Sequence, residues 1–137
     1  MARADQDRVL AAFPALAALP LSEREPLIRG LERVSLPAGR GVFREGDACR
    51  AFVLVLDGTI KVNKTSDSGR EIVLYRVEPG QTCVLTTACL MTGTPYGAEG
   101  VCESAVEAAT LGVSTFQALL NDSPGFRRFV FPPMACA

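Results

Sequence analysis

Five cysteines, at positions 49, 83, 89, 102 and 136, and no histidine at all bound the chemistry open to this 137-residue chain. The thiols are odd in number and include no Cys-x-x-Cys pair, which argues against a disulfide framework and a zinc ribbon and makes reduced thiols the expectation. Without imidazole there is no histidine general base, no Ser-His or Cys-His nucleophile pair and no histidine metal site. The densest run of reactive types is Thr82, Cys83, Thr86, Thr87, Cys89, Met91, Thr92 and Thr94. Two readings stand side by side. Cys83, Cys89 and Cys102 are small packed hydrophobes with threonines capping a turn, or they form a thiol switch or soft-ligand site. Thiolate activation needs a cation or a helix N-terminus. No Lys or Arg lies between Arg76 and Arg127, but a helix beginning near Val84 supplies a dipole for Cys83. The carboxylates Glu99, Glu103 and Glu107 alternate along a strand pattern without a second group to define acid and base roles.

The elements that must position these groups follow from pattern. Lys and Arg number 14 against 15 Asp and Glu, interspersed, so the chain has no electrostatic footprint for nucleic acid. One domain fits the length. Residues 9–21 are apolar enough to suggest an export signal, but Asp5, Asp7, Pro14 and Pro20 spoil it. Val9, Phe13 and Leu16 fall at helical spacing instead, so an amphipathic helix and a cytoplasmic location are expected. No run is long enough to span a membrane. Ser22-Glu23-Arg24-Glu25 reads as a capping box ahead of Leu27, Ile28, Leu31 and Val34. From Leu36 onward, turn signals recur at Gly39, Gly46, Asp57-Gly58, Gly69 and Pro79-Gly80, with strands at 42–43, 51–56, 59–63 and 71–77 between them. Asp57-Gly58 is the strongest hairpin signal. A later strand pair is expected over 98–109, in which Ala98, Gly100, Cys102 and Ser104 share a face. Ser114 with Gln117 caps one helix, and Asp122 or Ser123 before Pro124 starts another. The class is mainly β: a jelly-roll barrel with short N-terminal and C-terminal helices.

Leu36-Pro37-Ala38-Gly39, Val42-Phe43-Arg44-Glu45-Gly46-Asp47, Phe52-Val53-Leu54-Val55-Leu56-Asp57-Gly58 and Val77-Glu78-Pro79-Gly80 occur in serial order. This pattern resembles the cyclic-nucleotide-binding domain, specifically the sensory half of Crp/Fnr-type bacterial transcription regulators. The resemblance implies a non-enzymatic sensor whose nucleotide-binding members hold the ribose with a Gly-Glu pair and the cyclic phosphate with an Arg followed by a small hydroxyl residue. Here Val84-Leu85 stands at the Gly-Glu position, and the Arg position falls on Pro95 or Tyr96. A cyclic phosphate would lose its charge-assisted bidentate partner. The expectation is therefore an effector-sensing domain that does not bind cyclic nucleotides and responds to a thiol/redox or other small-molecule signal. Its candidate pocket is Thr82, Cys83, Thr86, Thr87, Cys89, Tyr96 and Cys102, with Cys83 and Cys102 as the candidate redox pair. No cofactor is assigned, because the N-terminal cysteine cluster of the family's iron-sulfur branch is missing.

The resemblance also implies a dimerisation helix after residue 125, whereas Pro132-Pro133 interrupts any helix there. Residues 1–125 are read as the sensor domain and 126–137 as a truncated start of that helix and a tail. No helix-turn-helix domain is present, so DNA would be reached only through one absent from this chain. A weak homodimer would rest on Phe126, Phe129, Val130 and Phe131. The rival reading is a cupin-like β-barrel, acting as a small-molecule binder or an enzyme.

Overall fold

The computed structural model describes residues 2–131. Three N-terminal helices, α1 (Arg3–Ala12), α2 (Pro14–Ala17) and α3 (Leu21–Gly30), precede five strands: β1 (Glu32–Leu36), β2 (Gly41–Phe43), β3 (Ala51–Asp57), β4 (Ile60–Thr65) and β5 (Glu71–Val77). Then come α4 (Val84–Thr92), β6 (Glu99–Cys102), β7 (Val106–Gly112), α5 (Val113–Asp122) and α6 (Pro124–Val130). The strands form two antiparallel sheets, ordered β1-β7-β3 and β2-β6-β4-β5. This is a jelly roll of two separate ladders, with mainly antiparallel β-structure and helices at both ends.

Alternation along β3 divides the core in two. Phe52 and Leu54 face the helices and join Val9, Phe13, Leu16, Leu27, Phe116 and Phe126 in one cluster, while Val55 faces the roll interior with Ile60, Val62, Val77 and Ala108. Each fully buried aliphatic or aromatic side chain contributes about 1.5–3 kcal/mol, so the helix-side cluster is what fastens the terminal helices to the three-stranded sheet.

Several local expectations are corrected. The apolar stretch at 9–21 is not one helix, because Pro14 lacks the N–H to continue and starts α2 afresh. α3 begins at Leu21 behind Pro20, so Ser22 caps nothing, and Val34 lies in β1 rather than in a helix. Asp57-Gly58 makes a turn but no hairpin: β3 and β4 lie in different sheets, and the turn carries the chain across. Gly58 has φ +82°, and a Cβ there would lie 2.1 Å from the Ala105 carbonyl oxygen, so the crossover demands glycine. The strands at 98–109 likewise do not pair with each other; β6 joins β2 and β4, and β7 joins β1 and β3. The hairpin is β4–β5, closed at Gly69. α5 is capped at Gly112 without a Ser114 side-chain bond, whereas Ser123 does cap α6, its hydroxyl accepting from Phe126 N–H at 3.1 Å. Phe126 is wholly buried and Phe129 packs on Phe13, so of the expected dimer patch Phe131 is the residue left strongly exposed. Pro132, Pro133 and Cys136 lie outside the described residues.

Candidate functional site

The Thr/Cys-rich segment forms α4, which starts after Cys83 and stops at Gly93 in the left-handed conformation. A tyrosine engages each side of it. Tyr75 reaches from β5 so that its hydroxyl accepts from Leu85 N–H at 3.0 Å and lies 3.3 Å from Cys83 Sγ. Tyr96 follows the helix, with its hydroxyl 2.9 Å from Thr86 Oγ1 and 3.3 Å from Cys49 Sγ. Its ring stacks on Phe43 at 3.9 Å and 7°. The Tyr96 backbone is held on both sides, by Gly46 N–H donating to its carbonyl and by its own N–H donating to Asp47 O. The Leu85 amide, one of those an anion would seek at a helix N-terminus, is thus already occupied by Tyr75.

Burial, reinforced by the Cys83 hydrogen bond, pushes the Tyr75 phenol above its ordinary range. Burial and the Cys49 bond do the same to Tyr96. Burial, then the neighbouring Cys49 and Cys83, raises Cys89, and burial raises Cys102 against a smaller opposing pull from Arg40. Cys49, Cys83, Cys89 and Cys102 are all free. Thr82 bridges to Leu54 of β3 and Thr87 Oγ1 donates to Cys83 O at 3.2 Å. Cys83, Cys89, Tyr96 and Cys102 share the interior cluster. Arg76, the cation just ahead of the segment, is committed to a forked pair with Glu103 at 2.9 and 3.1 Å. Among the described residues, no group of three or more His, Cys, Asp or Glu is placed to hold a metal ion.

A cleft of about 520 Å³, with Tyr96 in its wall, lies at the mouth between the two sheets. Val34, Leu36, Val42, Phe43, Val53, Ile60 and Ala108 give it apolar walls, and Arg40, Asp47 and Arg50 stand at the rim. Of the seven pocket residues expected from sequence, Tyr96 alone lines it. The sequence reading missed Arg40, Asp47 and Arg50, which sit in or beside turns. The available signal was two arginines flanking the Gly46 turn.

Residues 33–123 match the family model described as the cyclic nucleotide-binding domain. The chain belongs to that family. Its similarity extends to a cAMP-dependent protein kinase regulatory subunit of Yarrowia lipolytica, 31% identical over 119 residues, 87% of this chain but 30% of that protein. The N-terminal domain of a transcriptional regulator from Streptomyces coelicolor A3(2) superposes with a TM-score of 0.70 at 30% identity, covering 90% of this chain and 85% of that one. The sensor domain of the transcriptional regulator DNR from Pseudomonas aeruginosa shares the fold, with a TM-score of 0.77 at 20% identity over 94% and 85% of the two chains. The domain thus spans less than a third of the curated relative it matches, and the cupin alternative is set aside. Among the described residues, no helix is long and apolar enough to cross a membrane.

Proposed function

We propose that this domain is the effector-sensing part of a Crp/Fnr-like transcription regulator, non-enzymatic and cytoplasmic, and that its effector is not a cyclic nucleotide. The observation that carries this is the state of α4. The segment that would cradle a cyclic phosphate has no cation from Val77 to Phe126, and the Leu85 amide is filled by the Tyr75 hydroxyl. Backbone amides alone give an anion site little charge selectivity, and here one of them is already satisfied. DNA would be reached through a separate domain. Calorimetric titration with cyclic AMP and cyclic GMP is expected to give no saturable heat at micromolar concentration; a micromolar Kd for either overturns the reading.

A thiol signal within the same reading would run through Cys83 and Cys102, both buried in the interior cluster. Mass spectrometry after mild oxidant supports it if a Cys83 link forms that Cys83→Ser abolishes. An unmodified Cys83 in the folded protein assigns these cysteines to packing.

A further inference from the structure

We infer that the cleft at the mouth of the roll is the effector site and that it takes a small amphipathic monoanion, a short aliphatic or aromatic carboxylate. This rests on the sensor reading above and names the ligand class. Pockets of roughly 300–1,000 Å³ with apolar walls and a few placed polar groups are the common form of small-molecule sites, and this one falls within that range at about 520 Å³. Its walls would bury a hydrocarbon tail or ring. The charged residues that line it are two guanidiniums, Arg40 and Arg50, and one carboxylate, Asp47, which leaves a single positive charge suited to a monoanion rather than a phosphate dianion. Asp47 is partly spent, since its Oδ2 accepts from Arg44 N–H at 3.0 Å. Among the described residues, neither Arg40 nor Arg50 makes an ion pair. A guanidinium in a fixed fork suits a carboxylate.

The cleft is also joined to the rest of the domain. Its wall is the Phe43–Tyr96 stack, and Tyr96 hydrogen-bonds Thr86 on α4, so an occupant pressing on the wall bears on the helix through a single side chain.

The test is titration of the folded domain with octanoate and phenylacetate, followed by amide chemical-shift mapping, with octanamide and inorganic phosphate as controls. Saturable binding of at least one carboxylate with Kd below about 1 mM is expected. Shifts should centre on residues 40–53 and Tyr96, with phosphate giving none. The double variant Arg40→Ala/Arg50→Ala, its fold checked by thermal midpoint, should weaken the carboxylate about tenfold or more and leave octanamide unchanged. Overturning results are no saturable carboxylate binding, equal binding by the double variant, or shifts confined to α4 and β5. Cyclic-nucleotide binding would sink the sensor reading instead, and the arginine dependence of carboxylate binding would still score the cleft.

Discussion

The hydroxyl of Tyr75 performs two tasks, accepting from the Leu85 amide and meeting the Cys83 thiol, so deleting it leaves a half-buried N–H without its partner. Tyr75→Phe is expected to cost about 1–3 kcal/mol in urea unfolding, the range for stranding such a group, and to leave cyclic-nucleotide titrations blank. A gain of binding would mean that the hydroxyl had been the obstacle. The buried thiols make a second prediction, with its sign fixed by linkage. Cys89 and Cys102 are raised by burial, so the unfolded chain gives up those protons more readily than the folded one. Their contribution is fully present below the ordinary thiol value of about 8.5 and is lost as pH climbs through the raised values. Urea midpoints at pH 7 and about pH 10 should therefore fall with pH, and Cys102→Ala should flatten that fall. A slope unaltered in Cys102→Ala assigns the alkaline loss to other groups.

Between elements, a side-chain tie across about 100 residues runs from α3 to α6. Ser123 Oγ donates to Glu23 and accepts from Phe126 N–H, while Glu23 Oε1 also accepts from Gly125 N–H at 3.2 Å. The Ser123 bond is the chief reason that the Glu23 carboxyl lies below the usual carboxylate range. Ser123→Ala removes the cap of α6 and should destabilise the domain by about 1 kcal/mol in urea unfolding. In a Ser123→Ala/Glu23→Gln double variant the losses should be less than additive; full additivity would show that the two groups act apart. The cap of α6 was legible from the sequence to within one residue, Asp122 or Ser123 before Pro124, and the structure gives it to Ser123. Glu23 was not, since its partner lies 100 residues on and a local capping box was the nearer explanation. The same limit governs the strands. Gly39, Gly46, Gly58, Gly69 and Gly80 all take positive φ, so the turns between β1 and α4 were readable one by one. Asp57-Gly58 announces a turn but says nothing of which strand each flank will pair with, and that depends on residues 106–112 for β3 and on residues 71–77 and 99–102 for β4. At the site, the missing cation could be read by inspection. Tyr96 was named among the pocket residues, but its bonds to Thr86 and Cys49, and the part played by Tyr75, could not be read, because each needs a partner set by tertiary packing.

For the whole molecule, the open flank is β5. It is one of the two edge strands of its sheet, with Ile72, Val73 and Leu74 exposed at 49%, 41% and 48% on successive residues, so both of its faces present apolar surface. Unprotected apolar edges favour association. With Phe126 buried in its own core, self-association is expected along this edge, and light scattering should show a concentration-dependent mass that Val73→Lys shifts toward the monomer. A mass unmoved by that change places the contact elsewhere. The sheet opposite, ordered β1-β7-β3, has a consequence of another kind: its central strand is the last strand among the described residues. As the polypeptide leaves the ribosome, Glu32 waits for Thr110 and Leu54 waits for Ala109. β1 and β3 emerge early, and although Leu54 can bridge to Thr82, neither strand meets its sheet partner until β7, near the end of the domain, has been translated. The three-stranded sheet is therefore expected to form late, once β7 has been made.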